Sequence, residues 1–340
     1  MHSTTGLKVG VLGTGLSALS AAHLIQKAGH DATVLDTDQG HARPGKTFSY
    51  GGVRFDQFLQ TISDRDVEVH ALLEELRIKA QLQWHAETGR NSFWPSWGKR
   101  KVATCDGLAD SMEAALRNRI TVEKVSKAID LLEFDHCIEL RSDRSRRQFD
   151  AMITTLPLDE LEDLARGLIA QEIPCSNARA RTFTNVVFIC SIPLFSKYST
   201  FVENSRFWVR EVSSTTDVGS RVTAINVCGY SDEPESELRI LALKFLCEKF
   251  SEFQPSSVQD VRVFQSSERV PIVPHGEDKQ LLPSRVGESR LFLASRELGH
   301  GMPVSMNTEL VLAKNAVGAF LECAPTFACG PRQVAHAAGR

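Results

Sequence analysis

Leu7-Lys8-Val9-Gly10-Val11-Leu12-Gly13-Thr14-Gly15-Leu16-Ser17-Ala18, continuing through Leu19-Ser20-Ala21-Ala22-His23-Leu24-Ile25-Gln26-Lys27, decides the fold of this chain. The first six residues are a short β-type run that stops at Gly13, and the stretch after Gly15 has helical composition. Gly29 closes that helix, and His30-Asp31-Ala32-Thr33-Val34-Leu35-Asp36 reads as a second strand ending in an acid. A strand, a glycine turn, a helix and a strand in this order form the first unit of a dinucleotide-binding fold. Each position has a mechanical duty. Gly13 permits the tight turn, Gly15 lets backbone approach a diphosphate, and Ala18 stands where a third small residue is needed for helix–strand packing. The backbone of Leu16 and Ser17 opens the helix, whose N-terminus supplies N–H groups and partial positive charge for phosphates. Asp36, about twenty residues farther on, is placed to accept hydrogen bonds from an adenosine ribose.

A second glycine motif overlaps the end of this unit. Gly40-His41-Ala42-Arg43-Pro44-Gly45-Lys46-Thr47 matches the P-loop pattern letter for letter. That pattern works only when a helix starts at its end. Here Phe48-Ser49-Tyr50-Gly51-Gly52 follows, and the glycine pair would stop such a helix in its first turn. A nucleotide triphosphatase is therefore not expected.

The rest of the composition sets bounds. Three hundred and forty residues suit about two domains. With 42% hydrophobic and 24% charged residues the chain is an ordinary globular protein. A net charge of −3 gives no electrostatic case for nucleic acid or an anionic membrane. No apolar run reaches the roughly 18 residues that mark a membrane-spanning helix. The N-terminal stretch carries a lysine and interrupting glycines without a clear cleavage site, and reads as folded structure rather than a signal peptide. None of the 8 cysteines forms a CxxC pair or lies at zinc-ligand spacing from a histidine, so no metal site is expected. Most lie in apolar contexts such as Val-Phe-Ile-Cys190, as small core residues of a reducing, cytoplasmic compartment would.

Gly13 to Asp36, then Arg43-Pro44-Gly45-Lys46 and Gly52-Val53-Arg54-Phe55-Asp56, resembles the opening of FAD-dependent amine oxidases. Protoporphyrinogen oxidases and UDP-galactopyranose mutases begin similarly. The resemblance implies an Arg-x-Gly-Gly-Arg loop over the pyrophosphate, with Arg43 and Lys46 in its place. Lysine keeps the charge there and loses the bidentate fork. Asp106-Gly107-Leu108-Ala109-Asp110 and the helix behind it resemble the segment that re-enters the cofactor domain. Ile120 to Ile129 resembles the strand pair whose valine backbone, here Val125, contacts adenine. Phe149 to Pro157, with Thr155 near its end, resembles the strand from which the chain leaves for the substrate domain. Arg290 to Ala294 is similar to the last strand of the family, running into Ser295-Arg296-Glu297-Leu298-Gly299 and then Met306-Asn307 with a helix from Thr308 to Leu321. Amine oxidases have Gly-Asp at that strand end. Ser295-Arg296 is closer to the Gly-Arg of the mutases, and an arginine could pair with pyrophosphate or with a reduced, anionic flavin.

The expected fold is an α/β protein: a discontinuous Rossmann-type FAD-binding domain (1–52, 105–157 and 285–323) with an inserted mixed α+β substrate domain (53–104 and 158–284). A loose tail, 324–340, is expected behind it. The returning strand and helix favour FAD over NAD alone. The expected activity is an FAD-dependent oxidation, by hydride loss, of a small-molecule amine or a C–C or C–N bond. A mutase-like non-redox flavoenzyme is the alternative, although the chain has only the tyrosines Tyr50, Tyr198 and Tyr230. A degenerate flavoprotein fold kept as a binding or assembly partner is the third reading. Catalytic residues are the least marked, because the flavin carries the hard chemistry. His300, between two glycines, is the candidate proton donor. Trp208 and Arg210, in Phe207-Trp208-Val209-Arg210, are candidates for lining the substrate pocket, and Arg210 for a catalytic role. Trp84, Trp94 and Trp97 either pack the first insert or cap a hydrophobic substrate.

Overall fold

The computed structural model describes residues 6–37, 47–58, 61–78, 83–86, 88–89, 101–104, 107–126, 128–165, 178–194, 200–201, 207–215, 219, 221–271, 284–298 and 305–328. Strand β1 (Lys8–Leu12) turns into helix α1 (Gly15–Lys27) and returns as β2 (Asp31–Asp36). A hairpin of β3 (Thr47–Tyr50) and β4 (Val53–Asp56) leads to β5 (Thr61–Ser63) and α2 (Val67–Leu76). Three short strands come next, β6 (Gln83–Ala86), β7 (Thr88–Gly89) and β8 (Lys101–Thr104). Helix α3 (Leu108–Arg117) then precedes β9 (Thr121–Lys124), β10 (Ala128–Glu133), β11 (Ile138–Ser142), β12 (Arg146–Phe149) and β13 (Ala151–Thr154). After α4 (Leu158–Leu164) come β14 (Ala178–Cys190), β15 (Thr200–Phe201), β16 (Phe207–Thr215) and β17 (Arg221–Tyr230). The chain closes with α5 (Glu235–Lys249), β18 (Val258–Pro271), β19 (Leu291–Leu293) and α6 (Met306–Ala328).

The strand–turn–helix–strand unit is therefore present where the sequence places it. Its strands join a five-stranded sheet in the order β19-β13-β1-β2-β9, every neighbouring pair parallel. Parallel strands need crossovers, and both faces of such a sheet must be covered. One face carries Val9, Val11, Val34, Ile153 and Phe292 against α1, α3 and α6. The other carries Leu12, Leu35, Met152, Leu291 and Leu293 against α4 and the antiparallel β10-β11-β12 sheet. Phe292 is fully buried, with the rings of Phe320 and Phe327 edge-on at 5.8 and 6.4 Å. A buried phenylalanine contributes about 1.5–3 kcal/mol, so this contact ties the last strand to the last helix.

Two expectations need adjusting. The run from Ile120 to Ile129 is not a strand pair: β9 extends the parallel sheet, whereas β10 belongs to the antiparallel one. The final helix starts at Met306 and runs to Ala328, beyond Leu321, with Pro325 inside it. Ala324 is buried and Phe327 packs on the core, so apolar burial extends the helix into the stretch expected to be loose. Residues 329–340 lie outside the described residues.

The second insert builds a four-stranded antiparallel sheet in the order β16-β17-β14-β18. One face packs Val186, Phe188, Val209 and Ile225 on α5, and the other packs Val187, Ile189 and Ala224 on Val53 and Phe55 of the β3–β4 hairpin. The hairpin is stapled to this sheet by Phe48, whose ring lies 5.2 Å from that of Phe264. It is equally tied to α3, on the side of the parallel sheet. Thr47 Oγ1 donates to Asp110 Oδ2 at 3.1 Å, Arg54 pairs with Asp110, and Asp56 Oδ1 accepts from Gly107 N at 3.0 Å. All three contacts reach the start of α3.

Candidate dinucleotide site

In a doubly wound sheet the ligand crevice lies beyond the carboxyl ends of the strands. Here β1, β2 and β13 end at Leu12, Asp36 and Thr154, and the turn between them closes tightly. Gly13 N donates to Leu35 O at 3.1 Å and Thr155 N to Leu12 O at 2.9 Å. Gly13 has φ +130°, and a Cβ there would fall 2.1 Å from Thr155 Oγ1. No side chain fits. Gly15 has φ +81°, a backbone conformation that favours glycine, and a Cβ on it would stand at ordinary contact distance, 3.7 Å, from Glu113 Oε1. Helix α1 begins after an extended Thr14, with no side-chain cap and no acid in its first turn. Unopposed first-turn N–H groups and a positive helix end are what a diphosphate requires. Leu16 and Ala18 are buried in the core beneath, and Ser17 Oγ reaches the Glu309 carbonyl at 3.5 Å.

Asp36, the acid expected at the ribose, ends β2. Asp36 is 7% exposed, its carbonyl accepts from Val125 N at 2.9 Å, and its Oδ2 lies 3.5 Å from Arg117 Nη2. The backbone of Val125 is therefore adjacent to the end of β2. Thr155 stands against Gly13 rather than remote from the turn.

The closing segment also reaches this crevice. Beyond β19, Ser295 Oγ donates to Leu156 O, and Glu297 Oε2 accepts from Leu158 N at 2.7 Å. Both fasten the segment to the strand end of β13. Arg296 forms an ion pair with Glu309 in the first turn of α6, the same residue whose carbonyl Ser17 contacts. The two residues that open α6 serve packing. Met306 is buried in the helical core, and Asn307 Oδ1 accepts from Glu68 N at 3.1 Å, covering the start of α2.

Arg43, Lys46, His300, Trp94 and Trp97 lie outside the described residues. Trp208 and Arg210 lie in β16, in register with Cys228 and Asn226. Trp84 lies in β6. Thr47 opens a strand, so the helix that a P-loop needs does not come after its pattern. Among the described residues, no cluster of His, Cys, Asp and Glu could hold a metal ion, and no helix is long and apolar enough to cross a membrane.

Sequence reasoning missed Glu113 and Arg117. Both belong to the helix expected to re-enter the cofactor half, four residues apart and hence on one side of it. That spacing was the available signal. Which side of α3 faces the crevice is decided by the hairpin contacts at its start.

Residues 11–76 match the model of the NAD(P)-binding Rossmann-like domain. Cyclohexylamine oxidase from Brevibacterium oxydans superposes over 94% of this chain and 100% of its own, with a TM-score of 0.67 at 12% identity. Putrescine oxidase bound to putrescine does so over 93% of this chain and 99% of its own, with a TM-score of 0.65 at 11% identity. The chain shares its fold with these two oxidases. The same fold holds a fatty acid isomerase from P. acnes, with a TM-score of 0.64 at 12% identity over 94% of this chain and 100% of its own. No curated protein sequence matches the chain. The shared fold thus accounts for both the Rossmann-like sheet and the antiparallel sheet, and among these neighbours it carries more than one kind of reaction.

Proposed function

We propose that this chain is an FAD-dependent oxidoreductase that oxidises a small amine, or a C–C or C–N bond, by removing two electrons as hydride. The observation that carries the reading is the convergence of a glycine turn, a buried acid and a returning closing segment at the carboxyl ends of the parallel strands. Gly13 is barred from holding a side chain and Gly15 also has a positive φ, so the glycine turn ahead of α1 fits a diphosphate laid on the start of that helix. Asp36 fits a ribose diol at the far end. A nicotinamide dinucleotide would be served by this first unit alone. The segment from β19 through Arg296 to α6 gives the crevice a second wall, as a longer flavin dinucleotide needs.

When bound, the flavin supplies the two-electron acceptor. The chain's own residues bind and orient. The α1 N-terminus holds the diphosphate, Asp36 takes the ribose hydroxyls, and Arg296, steadied by Glu309, supplies positive charge from the closing side. Arg43 and Lys46 add cations over the diphosphate in this reading. Trp208 and Arg210 on β16 are assigned to the small-molecule substrate, and His300 is the proton donor.

A second reading, in which the flavin works without net oxidation, draws on Arg296 standing where amine oxidases have an acid, and on the isomerase that shares the fold. The absorption spectrum of the purified protein is the first test, and bands of bound flavin are expected. Anaerobic addition of candidate amines should then bleach them. Turnover only after prior reduction by dithionite would favour the non-redox reading. A colourless protein that refuses added FAD would overturn both and leave a binding or assembly role.

A further inference from the structure

Helix α3 lies along the crevice, and its two crevice-facing charges are one turn apart. Glu113 Oε1 approaches Gly15, and Arg117 Nη2 lies 3.5 Å from Asp36 Oδ2. The register of the helix is not free to drift. Its first turn is held by Asp56 on Gly107 N, and by Thr47 and Arg54 on Asp110. Arg117 is thus delivered to the acid at the ribose end by contacts made at the opposite end of the helix.

We propose that Arg117 is a positioning residue for the adenosine end of the crevice, holding the Asp36 carboxylate in the orientation that receives the ribose diol of an unphosphorylated adenine dinucleotide. This rests on the dinucleotide reading of the crevice. A guanidinium paired with a carboxylate favours the side-chain orientation that keeps the two charges close. The backbone of Asp36 is pinned from the opposite side by Val125 N. With its main chain pinned and its carboxylate paired to the Arg117 guanidinium, the Asp36 side chain has little rotational freedom to lose when it meets a ligand, so binding costs less entropy. The positive charge also offsets the repulsion between Asp36 and the diphosphate that must lie in the same crevice. An arginine beside a ribose acid has another possible use, accepting a 2′-phosphate. The buried Asp36 carboxylate opposes that use here, because a phosphate on the diol would be pressed against it.

The test compares dissociation constants of FAD, FMN, ADP and 2′-phosphorylated ADP for the wild type, Arg117→Ala, Arg117→Lys, Asp36→Asn and the double variant Asp36→Asn/Arg117→Ala. FMN shares the flavin and lacks the adenosine, so a general loss of structure moves it and a positioning defect does not. Arg117→Ala should weaken FAD and ADP about tenfold, equivalent to about 1.4 kcal/mol, and leave FMN unchanged. Lysine should restore most of the loss, and the alanine should add little in the Asp36→Asn background. Equal losses for FMN and FAD, no loss at all, or tighter binding of 2′-phosphorylated ADP than of ADP by the wild type would overturn the proposal. A wild type that takes ADP through Arg117 but no flavin would keep it and remove the flavin reading. A wild type that takes FAD indifferently to Arg117 would do the reverse, and one that takes neither would end both.

Discussion

Gly13→Ala puts the turn geometry to a quantitative test. The new Cβ would lie 2.1 Å from Thr155 Oγ1 and 3.3 Å from Thr155 Cβ, on a backbone with φ +130°. Holding a non-glycine residue in so sparsely populated a region costs about 1–3 kcal/mol. The overlap adds to this, because Thr155 is branched at Cβ and relieves it only by leaving its rotamer or shifting β13 away from β1, another ~1 kcal/mol. We expect a total loss of about 2–4 kcal/mol in urea unfolding monitored by circular dichroism, with the slope unchanged. Thr155→Ala removes the oxygen and leaves the backbone strain. The double variant should therefore recover ~1 kcal/mol over Gly13→Ala alone, a favourable coupling that identifies the contact. Gly15→Ala separates the two effects, since its nearest atom, Glu113 Oε1 at 3.7 Å, is at ordinary contact distance. Its stability loss should be the smaller, while cofactor retention should fall in both variants. A Gly13→Ala protein within ~0.5 kcal/mol of the wild type, or one that Thr155→Ala does not help, would refute this account of the turn.

Other perturbations act on single contacts. Gly15→Val should abolish copurification of flavin by holding the diphosphate off α1, and a variant that still carries stoichiometric flavin would show the cradle to be misassigned. Asp56→Ala removes the acceptor of Gly107 N at a site only 2% exposed, and should lower stability by about 1–3 kcal/mol in thermal unfolding. An unchanged melting temperature would separate α3 from its hairpin anchor. Burial pushes the Cys190 thiol up to about 11, against a weaker opposing effect of its hydrogen bond with Ser257, while Cys247 is exposed. Alkylation of the native protein at about pH 8, near an ordinary thiol's pKa, should label Cys247 and spare Cys190, as read by peptide mass. Early labelling of Cys190 would place it elsewhere. The Lys27 ammonium, with His23, holds the Glu75 carboxyl below the usual carboxylate range against the effect of burial. A lowered value means that the ionised form is favoured by folding. The bridge between α1 and α2 is therefore complete above the usual carboxylate range and is lost as pH falls through the lowered value. Glu75→Gln should cost less than ~1 kcal/mol at neutral pH and flatten the acid limb of the stability curve, and a variant with an unaltered acid limb would remove Glu75 from that balance.

The residues from Leu7 to Asp36 determine their own structure because their requirements are local. A β-run, a positive-φ turn and an apolar helix face can each be read within a few positions, and together they set the first strand, turn, helix and strand of the parallel sheet. The P-loop pattern at Gly40 illustrates the same locality, since the residues just after it are enough to deny the helix it needs, and a strand stands there. What the tertiary structure alone decided involves partners far apart in the chain. Thr155 against Gly13, Ser17 against the Glu309 carbonyl and Asn307 at the start of α2 join segments whose separation carries no periodic signal. The side of α3 that presents Glu113 and Arg117 to the crevice is chosen by Asp56, Thr47 and Arg54, residues of a hairpin that packs on the other sheet. Spacing puts two charges on one side of a helix, and only packing says what that side meets.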